Sequence, residues 1–270
     1  MRSAARHTRF AACLFLLVFD TFVPHLAGST PPPARSSRIP GITPQAASDS
    51  RSDVARWSAQ LKSGDEEERR EAAMILSSIE GPAAVAALTD ALTDKSPRVR
   101  AAAINALSER DGESIARLLI ARLAEDKDEF VRKSAGYALA KLRGAERTGA
   151  LIEALNDKSP EVRGAAAVSL GDHADARAIA PLADALGDKS AFVRAQAARA
   201  LGVNGISAAQ AVSKLINLLN SDPDNEVKRQ AATALGRIGD RAALEPLERA
   251  RRDKDPYLAQ AALDAIRQIR

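Results

Sequence analysis

Two charge columns, in register with each other, are the most evident source of chemistry in this sequence. Asp94, Asp126, Asp157, Asp188, Asp222 and Asp253 form one; Arg69, Arg100, Arg132, Arg163, Arg194 and Lys228 form the other. A guanidinium is a planar fork of donors that matches carboxylates, phosphates and carbonyl pairs. The Arg column could therefore be a ladder for anions. It could equally be a set of clamps that take nearby Asp side chains and turn carbonyls and lock successive segments together. The clamp is the role expected.

Other candidates for chemistry are few. The histidines are His7, His25 and His173, and the one thiol is Cys13. His173 stands in Gly171-Asp172-His173-Ala174-Asp175. Asp172, His173 and Asp175 are donor types that a metal accepts, but a polar turn of this kind is expected to be solvated. A serine triad would depend on His173, and neither a nucleophile-elbow pattern nor a Gly-rich phosphate loop occurs. A single cysteine allows no disulfide within the chain and is silent on redox compartment. No catalytic residue, metal or cofactor is expected.

The elements that position the columns follow from their period. Val99-Arg100, Val131-Arg132, Val162-Arg163 and Val193-Arg194 recur, with Val227-Lys228, Glu68-Arg69 and Leu258-Ala259 in the same phase. The intervals are 31, 32, 31, 31, 34 and 31 residues. A fixed period of this size means stacked repeats. Each unit reads as two short helices. The first ends near Leu61, Leu92, Leu123, Leu155, Leu186 or Leu219. A turn follows, such as Asp94-Lys95-Ser96-Pro97 or Asp157-Lys158-Ser159-Pro160. Ser or Asp can cap the next helix, and Pro fits its first position. The second helix carries an apolar stripe such as Val99, Ala103 and Leu107. Gly144, Gly171, Gly202 and Gly236 are expected to be C-terminal caps. No strand-like alternation appears. The fold expected is all-α, a right-handed α-solenoid of about seven two-helix repeats over residues 53–270.

Composition agrees with a soluble array: 46% hydrophobic, 27% charged and only 3% aromatic. Ala and Leu fill the core, which suits close helix packing. The net charge is +4, but Arg2, Arg6 and Arg9 against Asp20 fall in residues 1–29, and the remainder carries +2. That is a weak basis for nucleic acid, which favours a concentrated basic stripe, and no nucleic-acid partner is expected.

Residues 1–29 carry a basic start, the apolar run Phe10–Phe19 and small residues at Ala27 and Ser29. This is the pattern of a secretory signal peptide. A retained N-terminal membrane anchor and a misplaced start site are the alternatives. The apolar run is shorter than the roughly 20 residues of a bilayer span, so no stable span is expected in the mature form. The protein is expected to be exported, to the periplasm or beyond. Residues 30–52, with Pro31, Pro32, Pro33, Pro40 and Pro44, are expected to form an extended, disordered linker.

The unit Leu-x-Asp-x-Ser-Pro-x-Val-Arg-x-Ala-Ala-x-x-x-Leu resembles the short bacterial HEAT-like repeat. That repeat is named after phycobilin lyases and also occurs in deoxyhypusine hydroxylase. The resemblance covers residues 53–270. It implies an α-solenoid and structural pairing of the Arg column, but spans enzymes, chaperones and adaptors. The hydroxylase repeats hold two irons through His-Glu pairs. No His-Glu dipeptide occurs here, which rejects that activity. Glu68 in place of Val and Ala259 in place of Arg mark atypical end units, as capping repeats require.

The resemblance also places the second helices on the concave side. Counting from the Arg column as zero, positions +1, +5 and +9 share a helical face. The +5 row reads Met74, Asn105, Tyr137, Val168, Arg199, Thr233, Asp264; the +1 row reads Arg70, Ala101, Lys133, Gly164, Ala195, Arg229, Gln260. These rows vary while the core columns do not. Asn105, Lys133, Tyr137, Val168, Arg199 and Arg229 are the candidate partner-binding residues. The alternative for Tyr137 and Val168 is ordinary packing between neighbouring repeats. The function expected is a monomeric, non-catalytic protein-interaction scaffold for an unidentified protein partner. The alternative is a lyase-like or chaperone-like protein holding a cofactor or cofactor-bearing protein, with Asp172 (+9 in the fourth repeat) as its one nearby acid.

Overall fold

The computed structural model describes residues 44–270 apart from 111, 143 and 174, with side chains from residue 52 onward. The expected signal segment 1–29 and the linker up to residue 43 lie outside the described residues. The pairs are α1 (Pro44–Gln60) with α2 (Glu66–Leu76), α3 (Pro82–Ala91) with α4 (Pro97–Ser108), α5 (Glu113–Glu125) with α6 (Glu129–Lys141), and α7 (Glu146–Ala154) with α8 (Pro160–Gly171). They continue as α9 (Ile179–Ala185) with α10 (Ala191–Asn204), α11 (Val212–Ser221) with α12 (Asn225–Ile238), and α13 (Leu244–Ala250) with α14 (Pro256–Ile269). No strand occurs among the described residues, and the array is an α-solenoid. Helix α1 starts at Pro44, upstream of the boundary expected at Asp53, so residues 44–52 are helical and not extended. Proline's fixed φ suits a first helical position, and Ala46 and Ala47 are strong helix formers.

The turn chemistry works largely as its residue types require. Ser96 Oγ accepts from the backbone N–H groups of Arg98 and Val99, and Asp128, Asp224 and Asp255 cap α6, α12 and α14 in the same way. Ser159 instead donates to Glu161 at 2.8 Å. The long 34-residue interval is accounted for by a 3-10 segment, Gly205–Ala211, between α10 and α11. Elsewhere such an entry spans only Ala176–Ala178 or Arg241–Ala243.

The core runs as one continuous seam. Val99, Ala103 and Leu107 are fully buried, as are Val193, Ala197 and Leu201 in α10 and Val227, Ala231 and Leu235 in α12. Second helices pack directly on second helices throughout, while first helices meet one another more lightly.

Three of the four glycines expected as caps do a different job. Gly171 is the last residue of α8, and Gly202 and Gly236 lie within the last turns of α10 and α12. A Cβ there would stand 2.8, 2.8 and 2.6 Å from the Cα of Ala200, Ala234 and Ala265 on the next second helix. They are contact points between backbones, and only Gly144 of the four has a positive φ, 127°. The left-handed cap of α12 is Gly239, at φ 79°.

Candidate functional site

The Arg column is committed to the fold. Arg163 donates through Nε and Nη2 to both carboxylate oxygens of Asp188, at 2.7 and 2.8 Å, and through Nη1 to the carbonyls of Asp157 and Lys158, at 2.8 and 3.3 Å. Arg69–Asp94, Arg100–Asp126, Arg132–Asp157 and Arg194–Asp222 repeat this bidentate bond. Each guanidinium thus joins its own turn to the turn of the next repeat. Each Asp also accepts from a backbone N–H two residues on, as Asp188 does from Ser190 at 2.7 Å. Burial alone would push these carboxyls up. The bonds from Arg and backbone outweigh it and hold Asp94, Asp126, Asp157, Asp188 and Asp222 below the usual carboxylate range. With all three guanidinium nitrogens of each of these five arginines engaged, they form no anion ladder, and Lys228 alone stands outside the pattern.

The His173 turn is likewise internal. His173 Nε2 meets the carbonyl of Ala140 and lies 2.7 Å from Arg147 Nη1. Asp175 turns toward Arg177 and accepts from Thr148 Oγ1 at 2.9 Å. Bonds from the Arg177 side chain and backbone hold Asp175 well below the usual carboxylate range. Among the described residues, no group of three or more His, Cys, Asp or Glu is arranged to hold a metal.

What remains is the solvent-facing row of the second helices. Met74, Asn105, Tyr137, Arg199 and Asp264 are exposed, and Val168 and Thr233 are half-buried. The row is a surface, as its sequence variation suggests. Asn105 and Met74 line a cleft of about 680 Å³ across α2, α4 and α6. Arg229 and Thr233 line another of about 630 Å³ between α12 and α14. Tyr137 lies on α6, which also walls the first cleft, and Val168 and Arg199 lie on α8 and α10, the two second helices between the clefts.

The +1 candidates are less free. Arg229 pairs with Glu226 at 2.6 Å and Asp255 at 3.0 Å, and its guanidinium lies 5.8 Å from the Tyr257 ring. It is bound into the seventh repeat. Lys133 Nζ stands 5.4 Å from the centroid of Phe130. It also helps hold the Glu161 carboxyl below its usual range, after the larger effect of the Ser159 hydroxyl.

Sequence reasoning missed a third row, two residues before the Arg column. It contains Phe130, Phe192 and Tyr257, which are 45%, 44% and 73% exposed. Two of them reach back over the +1 residue of the preceding repeat, and the third lines a cleft with it. Phe192 lies on Gly164, Phe130 shares a cleft wall with Ala101, and Tyr257 covers Arg229. Position −2 is seven residues, about two turns, before position +5, and so on the same face. That spacing was the available signal. The central face is therefore apolar and largely aromatic: Phe130 and Tyr137 on α6 and Phe192 on α10, with the half-buried aliphatic Val168 on α8.

Comparison with known proteins agrees with this architecture. A family model described as HEAT repeats matches residues 54–140, 119–202, 148–221 and 188–267. Among solved structures, the Escherichia coli protein YibA is similar at a TM-score of 0.53 and 19% identity, over 84% of this chain and 98% of that one. An engineered protein gives 0.51 at 25% identity, over 80% and 68%. The complex of CpcE and CpcF of phycocyanin lyase from Nostoc gives 0.49 at 24%, over 88% and 92%. No curated protein matches the chain significantly.

Proposed function

This chain belongs to the HEAT-repeat family, and from that premise we propose that it is an exported, monomeric, non-catalytic scaffold that binds a protein partner on its concave face. One contrast carries the proposal. The buried stripe and the Arg–Asp clamps repeat almost unchanged, while the solvent-facing row differs at each repeat and leaves Phe130, Tyr137 and Phe192 between 41% and 45% exposed. Half-exposed aromatic side chains are suited to anchoring an interface, since they bury much area for little lost rotamer freedom. Spread over α6 and α10 on one face, they are also apolar surface of the kind that marks a contact.

The test is site-specific photo-crosslinking in the source cell, with a benzophenone side chain placed at Tyr137, Arg199 or, on the first-helix layer, Asp90. Adducts to a protein from the first two positions and none from the third are expected. Adducts only from Asp90, or none from Tyr137 and Arg199, would remove the concave face from the function. An absorbance scan of the purified complex separates a plain protein partner from a cofactor-bearing one.

A further inference from the structure

We propose that the central concave surface selects an extended polypeptide segment that is both acidic and aromatic; this deepens the scaffold assignment above and rests on it. Two observations lead there. The first is the apolar row formed by the aromatic Phe130, Tyr137 and Phe192 with the aliphatic Val168 between them, spread over three adjacent second helices. An interrupted floor of this kind offers separate seats for successive side chains.

The second is the state of the charges around it. Across the −2, +1 and +5 rows, every acid already has an internal partner. Glu67 pairs with Arg70, Glu226 with Arg229 and Asp264 with Arg267, and Glu161 accepts from Ser159. The cations divide differently. Arg70 and Arg229 are consumed in those pairs, while Arg98, Lys133 and Arg199 form no ion pair among the described residues. Arg98 and Arg199 are exposed and Lys133 is half-buried beside Phe130. Lys133 stands against Glu161, and the +9 row adds Arg237 and Asp172, both exposed and outside any ion pair among the described residues. The charge left unmet on the face is thus a positive excess at Arg98 and Arg199, and the complementary segment carries carboxylates between its aromatic residues. The chain's own segment 30–43 is not that complement, since it contains Arg35 and Arg38 and no acid.

The experiment measures fluorescence anisotropy of labelled synthetic peptides with the full chain. The probes are repeats of Asp-Phe-Ser, Lys-Phe-Ser and Asp-Gly-Ser, with oligo-dT beside them. The Asp-Phe-Ser peptide is expected to bind about tenfold more tightly than either other peptide and to weaken with added salt. Arg199→Glu and Phe192→Ala should each lower its affinity about tenfold, with circular dichroism unchanged. Lys254→Glu, in a turn, should leave it unaltered. Equal binding of the Asp and Lys peptides, both dependent on Phe192, would overturn the acidic preference and leave the scaffold reading standing. Binding by no peptide, or binding indifferent to both Phe192 and Tyr137, would overturn both. Oligo-dT binding that depends on Arg199 and Tyr137 would replace the polypeptide with a single-stranded nucleic acid.

Discussion

The ring of Phe192 on α10 lies against the backbone of Gly164 on α8, so close that a Cβ at Gly164 would stand 2.1 Å from a ring carbon. The same measure at Gly202 gives 2.8 Å, but there the neighbour is the Cα of Ala234. One obstacle is a half-exposed side chain and the other is a helix backbone. Gly164→Ala should therefore leave stability unchanged or raise it. The ring swings aside, and Ala is favoured over Gly within a helix by about 1 kcal/mol. Gly202→Ala should lower stability by about 1–3 kcal/mol, since second helices must separate. Urea midpoints of the two variants check this, and equal destabilisation would show that Phe192 is held as firmly as the core.

Removing a clamp should cost more than removing any surface contact. Arg163 joins the Asp188 carboxylate to the carbonyls of Asp157 and Lys158, and both charged side chains are largely buried. Arg163→Ala is expected to cost about 3 kcal/mol, because Asp188 is left buried and unpaired. The double variant Arg163→Ala/Asp188→Ala should fall well short of additive. Full stability of Arg163→Ala together with lost partner binding would return Arg163 to the binding surface.

The clamps also set an acid limit. The paired carboxyls, Asp188 among them, have folded pKa values below the usual range. Such a group stabilises fully above its unfolded pKa, about 3.9 for Asp, and loses that contribution as pH falls through the folded value. Stability should be level at neutral pH and decline from about pH 4 downward. Asp188→Asn should be weaker at pH 7 and decline less steeply in acid. An unfolding free energy that is flat down to pH 2.5 would contradict the assignment.

The period made most of this legible. Arg, Asp, Val and Ala return in phase, and the physics that repeats them is the same at each junction. The work done by glycine was not legible. A cap and a close helix contact both ask for the absence of a Cβ, and only the small partners Ala200, Ala234 and Ala265 distinguish them. Nor was the fate of Arg229 and Lys133. Whether an exposed cation is free depends on what the next repeat places over it, and Tyr257 and Glu161 are 28 residues further along. Phe130 and Phe192 were overlooked because the face was counted forward from the Arg column and not backward.

Tyr137 separates surface from core. It is 41% exposed and shares its row with Asn, Arg, Thr and Asp at other repeats. Tyr137→Ala should cost the fold no more than about 0.5 kcal/mol, while weakening partner binding by about 1–3 kcal/mol. Arg98→Ala, further along the face, should have the smaller effect on both. A large drop in melting temperature for Tyr137→Ala would mark the residue as packing and not recognition.

The last junction differs from the others and can be repaired. Lys228 stands where the column has Arg, so Asp253 receives no guanidinium. Its Oδ1 nonetheless accepts from the backbone N–H of Asp255 at 2.9 Å, the arrangement seen at Asp94 and Asp157. The turn is built for a clamp that the side chain does not supply, and Arg229–Asp255 bridges the gap from a neighbouring position. Lys228→Arg should complete the bidentate bond and raise stability by about 1 kcal/mol. The gain should fall mainly on α13 and α14. Slower amide exchange in α14 of Lys228→Arg, abolished in Lys228→Arg/Asp253→Asn, is the expected result. A gain that survives the Asp253 change would come from Arg's helix propensity or another contact and not from the clamp.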